Sequence, residues 1–179
     1  NVIRPNINTC YADFTSNGKN FLYALGAIKN VGYEAISNVV KEREKNGKYK
    51  NISDFINRTN PKNINKLQLE GLVRAGAFDE INNNRQSLFN SIPNIILKSK
   101  NNYENRMDDQ INLFDDEFKS NDDFLEQIDD WKTDNKLSKE FETLGFFISD
   151  HPLNQYKVIF NQYNIINHEQ FEKDKNLLS

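Results

Sequence analysis

The stretch Leu25-Gly26-Ala27-Ile28-Lys29-Asn30-Val31-Gly32 decides the fold, because it has the character of a tight connection that leads into an amphipathic helix. A tight connection between two helices needs residues that tolerate positive φ, and Gly26 and Gly32 are placed for that role. The helix that follows, from Tyr33 to Glu44, has apolar side chains at helical spacing and is followed by Gly47. The segment therefore predicts a helical hairpin.

The start of the helix after Gly32 also has the features of a phosphate site. Amides in the first turn of a helix lack internal acceptors, and the helix dipole adds positive potential there. Ile28 and Val31 would hold the two helices together, so that Lys29, with Asn30 beside it, stays free to meet a phosphate. Such contacts position a duplex without reading its bases. The alternative is an ordinary turn between helices whose glycines serve geometry only.

A second, degenerate copy of the turn follows at Leu72-Val73-Arg74-Ala75-Gly76-Ala77-Phe78-Asp79. Gly76 is placed to end the preceding helix in a left-handed conformation. Two hairpins in tandem would let one module hold both strands across a minor groove, with Arg74 and Gly76 as the candidate contacts of the second. This copy has one glycine in its turn and Asp79 directly after it, so a purely structural role stays open.

Helical periodicity organises most of the first hundred residues. Residues 1–21 are instead extended and turn-rich. A short helix stops at Asn60-Pro61, Asn63 can cap the next helix, and a further helix from Asn84 to Lys98 contains Pro93, which should kink it. The sequence thus predicts four helices, arranged in pairs, before residue 100.

Charge is segregated along the chain, although the formal net charge is only −3. Ten basic residues stand against five acidic ones between Leu25 and Phe78, whereas fifteen acidic residues stand against five basic ones from Glu104 to Asp150. Phosphate would be attracted to the first segment and repelled by the second. From Asn101 to about Asp134 no helical face persists, which predicts a linker whose acidic pairs are solvated charge rather than a magnesium site.

Composition excludes several classes of protein. With 37% hydrophobic residues in 179, the chain can bury one good core or two small ones. Its apolar runs are too short to span a bilayer and no signal segment opens it, so we expect a soluble, cytosolic protein. Cys10 is the single cysteine, which rules out an internal disulfide, and with two histidines it offers no zinc site.

The order of these motifs resembles the bacterial DNA polymerase III alpha subunit, from the end of its fingers region to just before its oligonucleotide-binding-fold domain. The motifs run in order over residues 1–156: Pro5-Asn6-Ile7-Asn8, Phe14, the first turn, Phe55, Arg58, Asn65, Leu69 to Asp79, Arg85, and Glu142 to Leu153. The resemblance implies a mainly α fold with a tandem helix-hairpin-helix module, an acidic linker and a short C-terminal α/β-like extension. It divides the chain into the end of the fingers (1–24), the duplex-binding module (25–100), the linker (101–136) and a lead-in to the next domain (137–179).

The resemblance also implies a function. The module would grip newly made primer-template duplex behind the active site of a replicative polymerase, in the bacterial cytoplasm at the nucleoid, with other replisome subunits reached through the parent chain. The family's polymerase chemistry uses palm aspartates that coordinate two magnesium ions, and none of the motifs in this chain corresponds to them. We therefore expect no catalytic residue, metal or cofactor in the chain itself.

The predicted linker contains Gln110-Ile111-Asn112-Leu113-Phe114. An exposed apolar pair on a polar segment is typical of a docking peptide, but Leu113 and Phe114 could equally fold back onto the helical module. The pattern and position resemble the family's internal motif for binding the sliding clamp. That resemblance gives Gln110 polar contacts and places Leu113 and Phe114 in an apolar pocket of the clamp.

Two other functions stay open on the sequence. One is a free-standing helix-hairpin-helix protein of DNA repair or recombination, and the other is an adaptor that uses only Leu113 and Phe114 to bind a protein. A nuclease would need acidic residues on a rigid scaffold, whereas here they fall on the linker. The smaller expectations are that His151 is a turn residue and that Phe124, Leu125, Ile128 and Trp131 pack onto a helix.

Overall fold

The computed structural model describes residues 1–107, 122–166 and 171–172, which belong to two compact units, 1–148 and 149–179. The first unit opens with a small sheet of strands β1 (Val2–Ile3), β2 (Thr15–Asn17) and β3 (Asn20–Leu22) in the order β1-β3-β2. β3 pairs in parallel with β1 and antiparallel with β2. Gly18 takes a φ of 63° in the turn between β2 and β3, a conformation that favours glycine.

The rest of the first unit is helical, so the prediction of a mainly α fold is confirmed. Its described α-helices are α1 (Tyr33–Asn46), α2 (Ile52–Arg58), α3 (Lys66–Arg74), α4 (Arg85–Asn90), α5 (Ile92–Met107) and α6 (Thr133–Leu144). Short 3₁₀ turns stand at Leu25–Ala27 and Pro61–Asn63. Two of the predicted helix ends are confirmed, since Gly47 follows α1 and Gly76 follows α3, both with positive φ. Gly145 ends α6 in the same way.

Asparagine side chains begin several of these helices. Asn51, Asn65 and Asn84 each accept a hydrogen bond from the amide three residues further on, at 2.8–2.9 Å. The prediction that Asn63 caps α3 is wrong by two residues. Asn60 accepts from the amide of Lys62 and starts the 3₁₀ turn instead, so that Asn63 falls within this turn and α3 begins after Asn65.

The helix predicted from Asn84 to Lys98 is two helices, α4 and α5, separated at Ser91. Ser91 is fully buried, and its hydroxyl accepts a hydrogen bond from the amide of Glu126 at 2.8 Å. Pro93 therefore lies in the first turn of α5, where its missing amide breaks no hydrogen bond, and does not kink a continuous helix.

The described part of the predicted linker packs against the helices. α5 continues to Met107, and the side chain of Leu125 is buried while Phe124 and Trp131 pack against the core. Asn84 donates to the carbonyl of Ile128 at 2.6 Å. The prediction that the apolar side chains pack onto the helices is thus confirmed for Phe124, Leu125 and Trp131, while Ile128 contributes its carbonyl. Residues 122–131 are therefore packed against the helical unit.

The core of the first unit joins the helices to the N-terminal segment. Tyr49, Phe55 and Phe78 form consecutive edge-to-face ring pairs with centroids 5.2 and 5.1 Å apart. Arg43 on α1 is buried and donates to the carbonyls of Ile7 and Cys10 at 2.8 and 2.6 Å. The segment before the first turn is thus held to α1 by a buried guanidinium.

The second unit is described over residues 149–166 and 171–172. It contains a 3₁₀ turn, Pro152–Tyr156, followed by α7 (Lys157–Gln162). The described strands of the chain all lie between Val2 and Leu22, so the described part of the predicted α/β-like extension has helical turns and no strand. The ring of His151 accepts from the amide of Leu153 at 3.2 Å, which confirms His151 as a turn residue. Among all described residues, no helix is long and apolar enough to cross a bilayer.

Tyr49 gives the fold a predicted sensitivity to alkaline pH. Its hydroxyl is buried and donates to the carbonyl of Val39 at 2.8 Å, and burial raises its pKa to about 12. Because this pKa exceeds the value of about 10 in the unfolded chain, the stabilisation is complete below pH 10 and is lost as the pH rises towards 12.

We expect Tyr49→Phe to be less stable than the wild type by about 1 kcal/mol at pH 9, through the lost hydrogen bond. At pH 11 the difference in stability should be about 1 kcal/mol smaller. Unfolding exposes the wild-type phenol, which then ionises and stabilises the unfolded state, whereas phenylalanine has no proton to lose. Urea denaturation of both proteins at the two pH values measures this. If both proteins lost the same stability between pH 9 and pH 11, the predicted role of the Tyr49 phenol would be contradicted.

Candidate nucleic-acid interface

The first turn separates its buried residues from its exposed ones, as predicted. Leu25, Ile28 and Val31 have 0, 2 and 7% of their surface exposed, so they join the core. Lys29 and Asn30 are exposed at the surface directly before α1. The turn therefore presents one cation and one amide side chain beside the start of a helix.

The glycines of this turn serve a different purpose from the one predicted. Gly32 has a φ of −72°, Gly26 has no positive φ either, and the left-handed residue is Asn30 at 67°. Asparagine is among the few residues that adopt this conformation at small cost. Gly26 is required by close approach instead, since a Cβ there would lie 2.8 Å from the carbonyl oxygen of Ala12, which accepts from the Gly26 amide at 3.0 Å.

The N-terminus of α1 is open. Gly32 is its N-cap and has no side chain to fold back onto the first-turn amides, and a Cβ at Gly32 would have no neighbour nearer than 3.9 Å. Tyr33 donates to Asp13 at 2.5 Å, and this carboxylate raises the pKa of the phenol. Glu34 in the same first turn is the feature that opposes an anion, since its carboxylate is exposed there.

Two helices fix the position of this turn. The amide of Lys29 donates to the carbonyl of Thr143 at the end of α6, at 3.1 Å. On the other side, a Cβ at Gly71 of α3 would lie 2.6 Å from the carbonyl oxygen of Lys29. The roles of Gly71 and Thr143 were not predicted from the sequence. A glycine in the middle of a helix costs stability, so its presence at Gly71 was the available signal of a close backbone approach.

A groove of about 430 Å³ runs beside the turn. It is lined by Lys29, Asn30, Glu70, Gly71, Arg74, Phe141, Glu142 and Thr143. The guanidinium of Arg74 lies over the ring of Phe89, 5.0 Å from its centroid, and approaches carboxylate oxygens of Glu70 and Glu142 to 3.7 Å each. The groove therefore brings the predicted contacts Lys29 and Arg74 to one surface.

The second turn is closed by its own contacts. Gly76 has a φ of 75°, is buried, and lies so close to Arg85 that any Cβ would overlap the guanidinium. The Gly76 amide donates to Val73 at 3.0 Å, and the Ala77 amide donates to Leu72 at 2.9 Å. This geometry supports the structural alternative for Gly76.

An ionic network covers this turn. Arg85 is 4% exposed, donates to Asp79 at 2.8 and 2.6 Å, and lies 3.9 Å from the buried carboxylate of Glu140. Burial disfavours the charged guanidinium, but the hydrogen bond and charge of Asp79, with the charge of Glu140, raise the pKa of Arg85. The pair of Arg85 with Glu140 joins α4 to α6. Glu140 also accepts a hydrogen bond from the amide of Ile148 at 2.6 Å, which holds the segment after α6.

Gln110, Leu113 and Phe114 lie outside the described residues. The segments on either side of them both contact α2. Asn102 donates to Asn57 at 2.6 Å, and the carboxylate of Asp122 accepts from the amides of Ile52 and Ser53 at 3.3 and 2.9 Å. Within the described ranges, no group of acidic, cysteine or histidine side chains could hold a metal ion.

The first turn follows β3 and begins with a 3₁₀ turn, so the prediction that it joins two helices is wrong, whereas the second turn lies between α3 and α4. The class of protein is set by the family match, since residues 1–88 match the helix-hairpin-helix motif family. The chain is 33% identical over 172 residues to DNA polymerase III subunit alpha of Borreliella burgdorferi. This match covers 93% of the chain and 15% of the relative. It is also 40% identical over 147 residues to the Rickettsia prowazekii protein of the same name, and that match covers 82% of the chain and 12% of the relative.

The Campylobacter jejuni DNA polymerase III subunit alpha matches 98% of the chain at 33% identity, and again the chain covers 15% of the relative. The chain belongs to the bacterial DNA polymerase III alpha subunit family. It corresponds to one segment of these much longer relatives, of whose length it spans 12 to 15%.

The network around Arg85 gives a prediction for stability. Arg85→Met should lower the free energy of unfolding by about 3 kcal/mol, because it leaves Asp79 and the buried Glu140 without their cation. Lys48→Met is the matched control, since the pair of Lys48 with Glu80 is exposed and should contribute less than about 1 kcal/mol. Chemical denaturation at pH 7 compares the two variants. Equal effects would show that the buried network adds no more than a surface pair.

Proposed function

We propose that the chain is part of a bacterial replicative DNA polymerase, in which its first turn grips primer-template duplex through backbone phosphates. The single observation that carries the DNA contact is the open N-terminus of α1 beside the exposed Lys29 and Asn30. The assignment to the polymerase is supported by relatives named DNA polymerase III subunit alpha that match most of the chain. Polymerisation belongs to the parent protein, and with it the magnesium ions of the palm.

In this proposal a phosphate oxygen accepts hydrogen bonds from first-turn amides of α1 and meets the ammonium of Lys29. Gly32 lets the nucleic-acid backbone approach the amides, because no side chain stands in front of them. Ile28 and Val31 act through packing, since they hold the turn against the core. The contact carries no base recognition, which suits an enzyme that has to hold every sequence that it copies.

The second turn has a divided role in the proposal. Gly76 serves geometry, because its amide and that of Ala77 are already bonded within the turn. Arg74 offers its side chain to a second phosphate, because it reaches the same groove as Lys29. The two cations thus belong to one phosphate-binding surface, even though they come from different hairpins.

The DNA contact is tested with Lys29→Gln and with Lys45→Gln as its control. Both changes remove one charge from an exposed lysine, but Lys45 lies near the far end of α1, about 20 Å from Gly32 at 1.5 Å per residue. We expect Lys29→Gln to weaken binding of a fluorescent 20-base-pair duplex and to reduce the slope of log K against log salt by about 1. Fluorescence anisotropy at four salt concentrations measures both quantities.

Lys45→Gln should leave the slope unchanged. Equal slopes for the wild type and Lys29→Gln would mean that Lys29 meets no phosphate. A wild type that fails to bind duplex at low salt, in a sample shown to be folded by circular dichroism, would remove the duplex-binding part of the proposal.

We further propose that Gln110, Leu113 and Phe114 bind a sliding clamp. The pattern supports this, because an apolar pair within a polar, acidic segment suits a docking peptide. The described segments before and after the motif contact α2 through Asn102 and Asp122, so the chain is held to the first unit on either side of the motif. A peptide that orders on binding has low affinity by itself, and a nearby duplex contact would add effective concentration.

Clamp binding is tested by calorimetry with a bacterial sliding clamp, using the double variant Leu113→Ala/Phe114→Ala. We expect this variant to lose at least about tenfold in affinity, because two apolar anchors are removed. Ile111→Ala is the matched control, since it shortens an apolar side chain within the motif but outside the proposed contact set. If the control and the double variant bind equally well, the motif does not dock as proposed.

The two experiments also separate the alternatives. Duplex binding without clamp binding would remove the clamp contact from the proposal and leave the chain with the duplex-binding role that a helix-hairpin-helix protein of repair or recombination also has. Clamp binding without duplex binding would favour an adaptor that uses only Leu113 and Phe114. Contacts with other replisome subunits are proposed through the parent chain.

A further inference from the structure

Arg74 is held in position but has unused hydrogen-bonding capacity. Its guanidinium has five N–H donors, yet its Nε is a buried atom without a hydrogen-bond partner among the described residues. Its terminal nitrogens stand 3.7 Å from Glu70 and from Glu142, beyond the usual length of a hydrogen bond. The buried Nε is closed to an incoming ligand, whereas the terminal nitrogens face two carboxylates that stand too far away for full hydrogen bonds. Because Arg74 lines the groove, these terminal donors have the character of a group that awaits an anion.

Glu142 is placed where that anion would enter. It stands on α6 next to Thr143, whose carbonyl holds the Lys29 amide, and 55% of its side chain is exposed. Glu70, by contrast, is 17% exposed and lies on the same helix as Arg74, four residues before it. The groove thus contains two cations, Lys29 and Arg74, and two carboxylates, of which Glu142 is the one free to move into water.

We infer that Glu142 competes with a DNA phosphate for Arg74 and so weakens the grip of the module on duplex. The inference rests on the proposed function. A phosphate offers Arg74 paired, charge-assisted hydrogen bonds, whereas the 3.7 Å approach of Glu142 is a weak surface ion pair. Binding therefore displaces Glu142, while Glu70 and the ring of Phe89 keep Arg74 in place.

Such a competitor suits a module that has to move along the duplex. Each time a phosphate leaves Arg74, Glu142 can take its place, so the guanidinium regains its second carboxylate beside Glu70. The purely structural alternative is that Glu142 and Arg74 only tie α6 to α3. In that case removal of the carboxylate would lower stability and would not strengthen DNA binding.

A double-mutant cycle in the 179-residue chain tests the inference. Glu142→Gln should tighten binding of the fluorescent duplex about two- to fivefold at low salt, the range expected for one exposed ion pair. In an Arg74→Gln background the same change should have almost no effect, because no arginine remains to be released. In a Lys29→Gln background the gain should persist. Arg74→Lys, which keeps the charge but loses the planar fork, serves as a second variant if Arg74→Gln unfolds.

Glu44→Gln is the matched control for the charge change, since Glu44 is exposed on α1 and about 18 Å from Gly32 along the helix. An equal gain for Glu44→Gln and Glu142→Gln, or a gain that survives the loss of Arg74, would overturn the inference and leave only a general charge effect. No gain from Glu142→Gln would also overturn it. If Lys29→Gln still weakens binding in these cases, the proposed phosphate contact stands; if it does not, that contact fails as well.

Discussion

The close approach of α3 to the first turn is the constraint on which the candidate interface depends. Gly71 brings the backbone of α3 so near to the carbonyl of Lys29 that no Cβ fits between them. From the opposite side, Thr143 of α6 accepts the Lys29 amide. A turn of a few residues would otherwise sample several conformations, and a phosphate site needs its donors fixed before the ligand arrives. The contacts with Gly71 and Thr143 fix the backbone of the turn in one conformation and leave its exposed side chains free of that task.

The same packing explains why the two hairpins differ. In the first, the core takes Ile28 and Val31 and leaves the start of α1 open. In the second, Arg85 lies across Gly76 and binds Asp79, so the turn is filled by its own side chains. The guanidinium of Arg85 thus fills the second turn. The first turn leaves the amides at the start of α1 exposed instead. The duplication of the motif therefore yields one open surface and one structural support for it.

Local chemistry allowed much of this fold to be predicted from the sequence. The ends of α1, α3 and α6 follow from glycines that take positive φ, and the burial of Ile28 and Val31 follows from apolar spacing. The errors arose where a distant contact decides. Gly26 faces the carbonyl of Ala12, and Ser91 binds the amide of Glu126, so neither role can be seen in a short window of sequence. Gln110, Leu113 and Phe114 remain predictions of the sequence alone.

The acidic C-terminal half is less repulsive to DNA than its composition indicates. Asp122 binds two amides of α2, and Glu140 pairs with Arg85 inside the unit. Burial would raise the pKa of Asp130, but hydrogen bonds from Lys136 and from the amides of Gln86 and Trp131 outweigh it and lower that pKa. All three carboxylates thus have partners within the first unit. Net charge counted along a sequence overstates the field at a surface, because paired carboxylates project little potential. Glu142, which is exposed beside the groove, is the carboxylate that we infer to act on DNA binding, and it does so through Arg74.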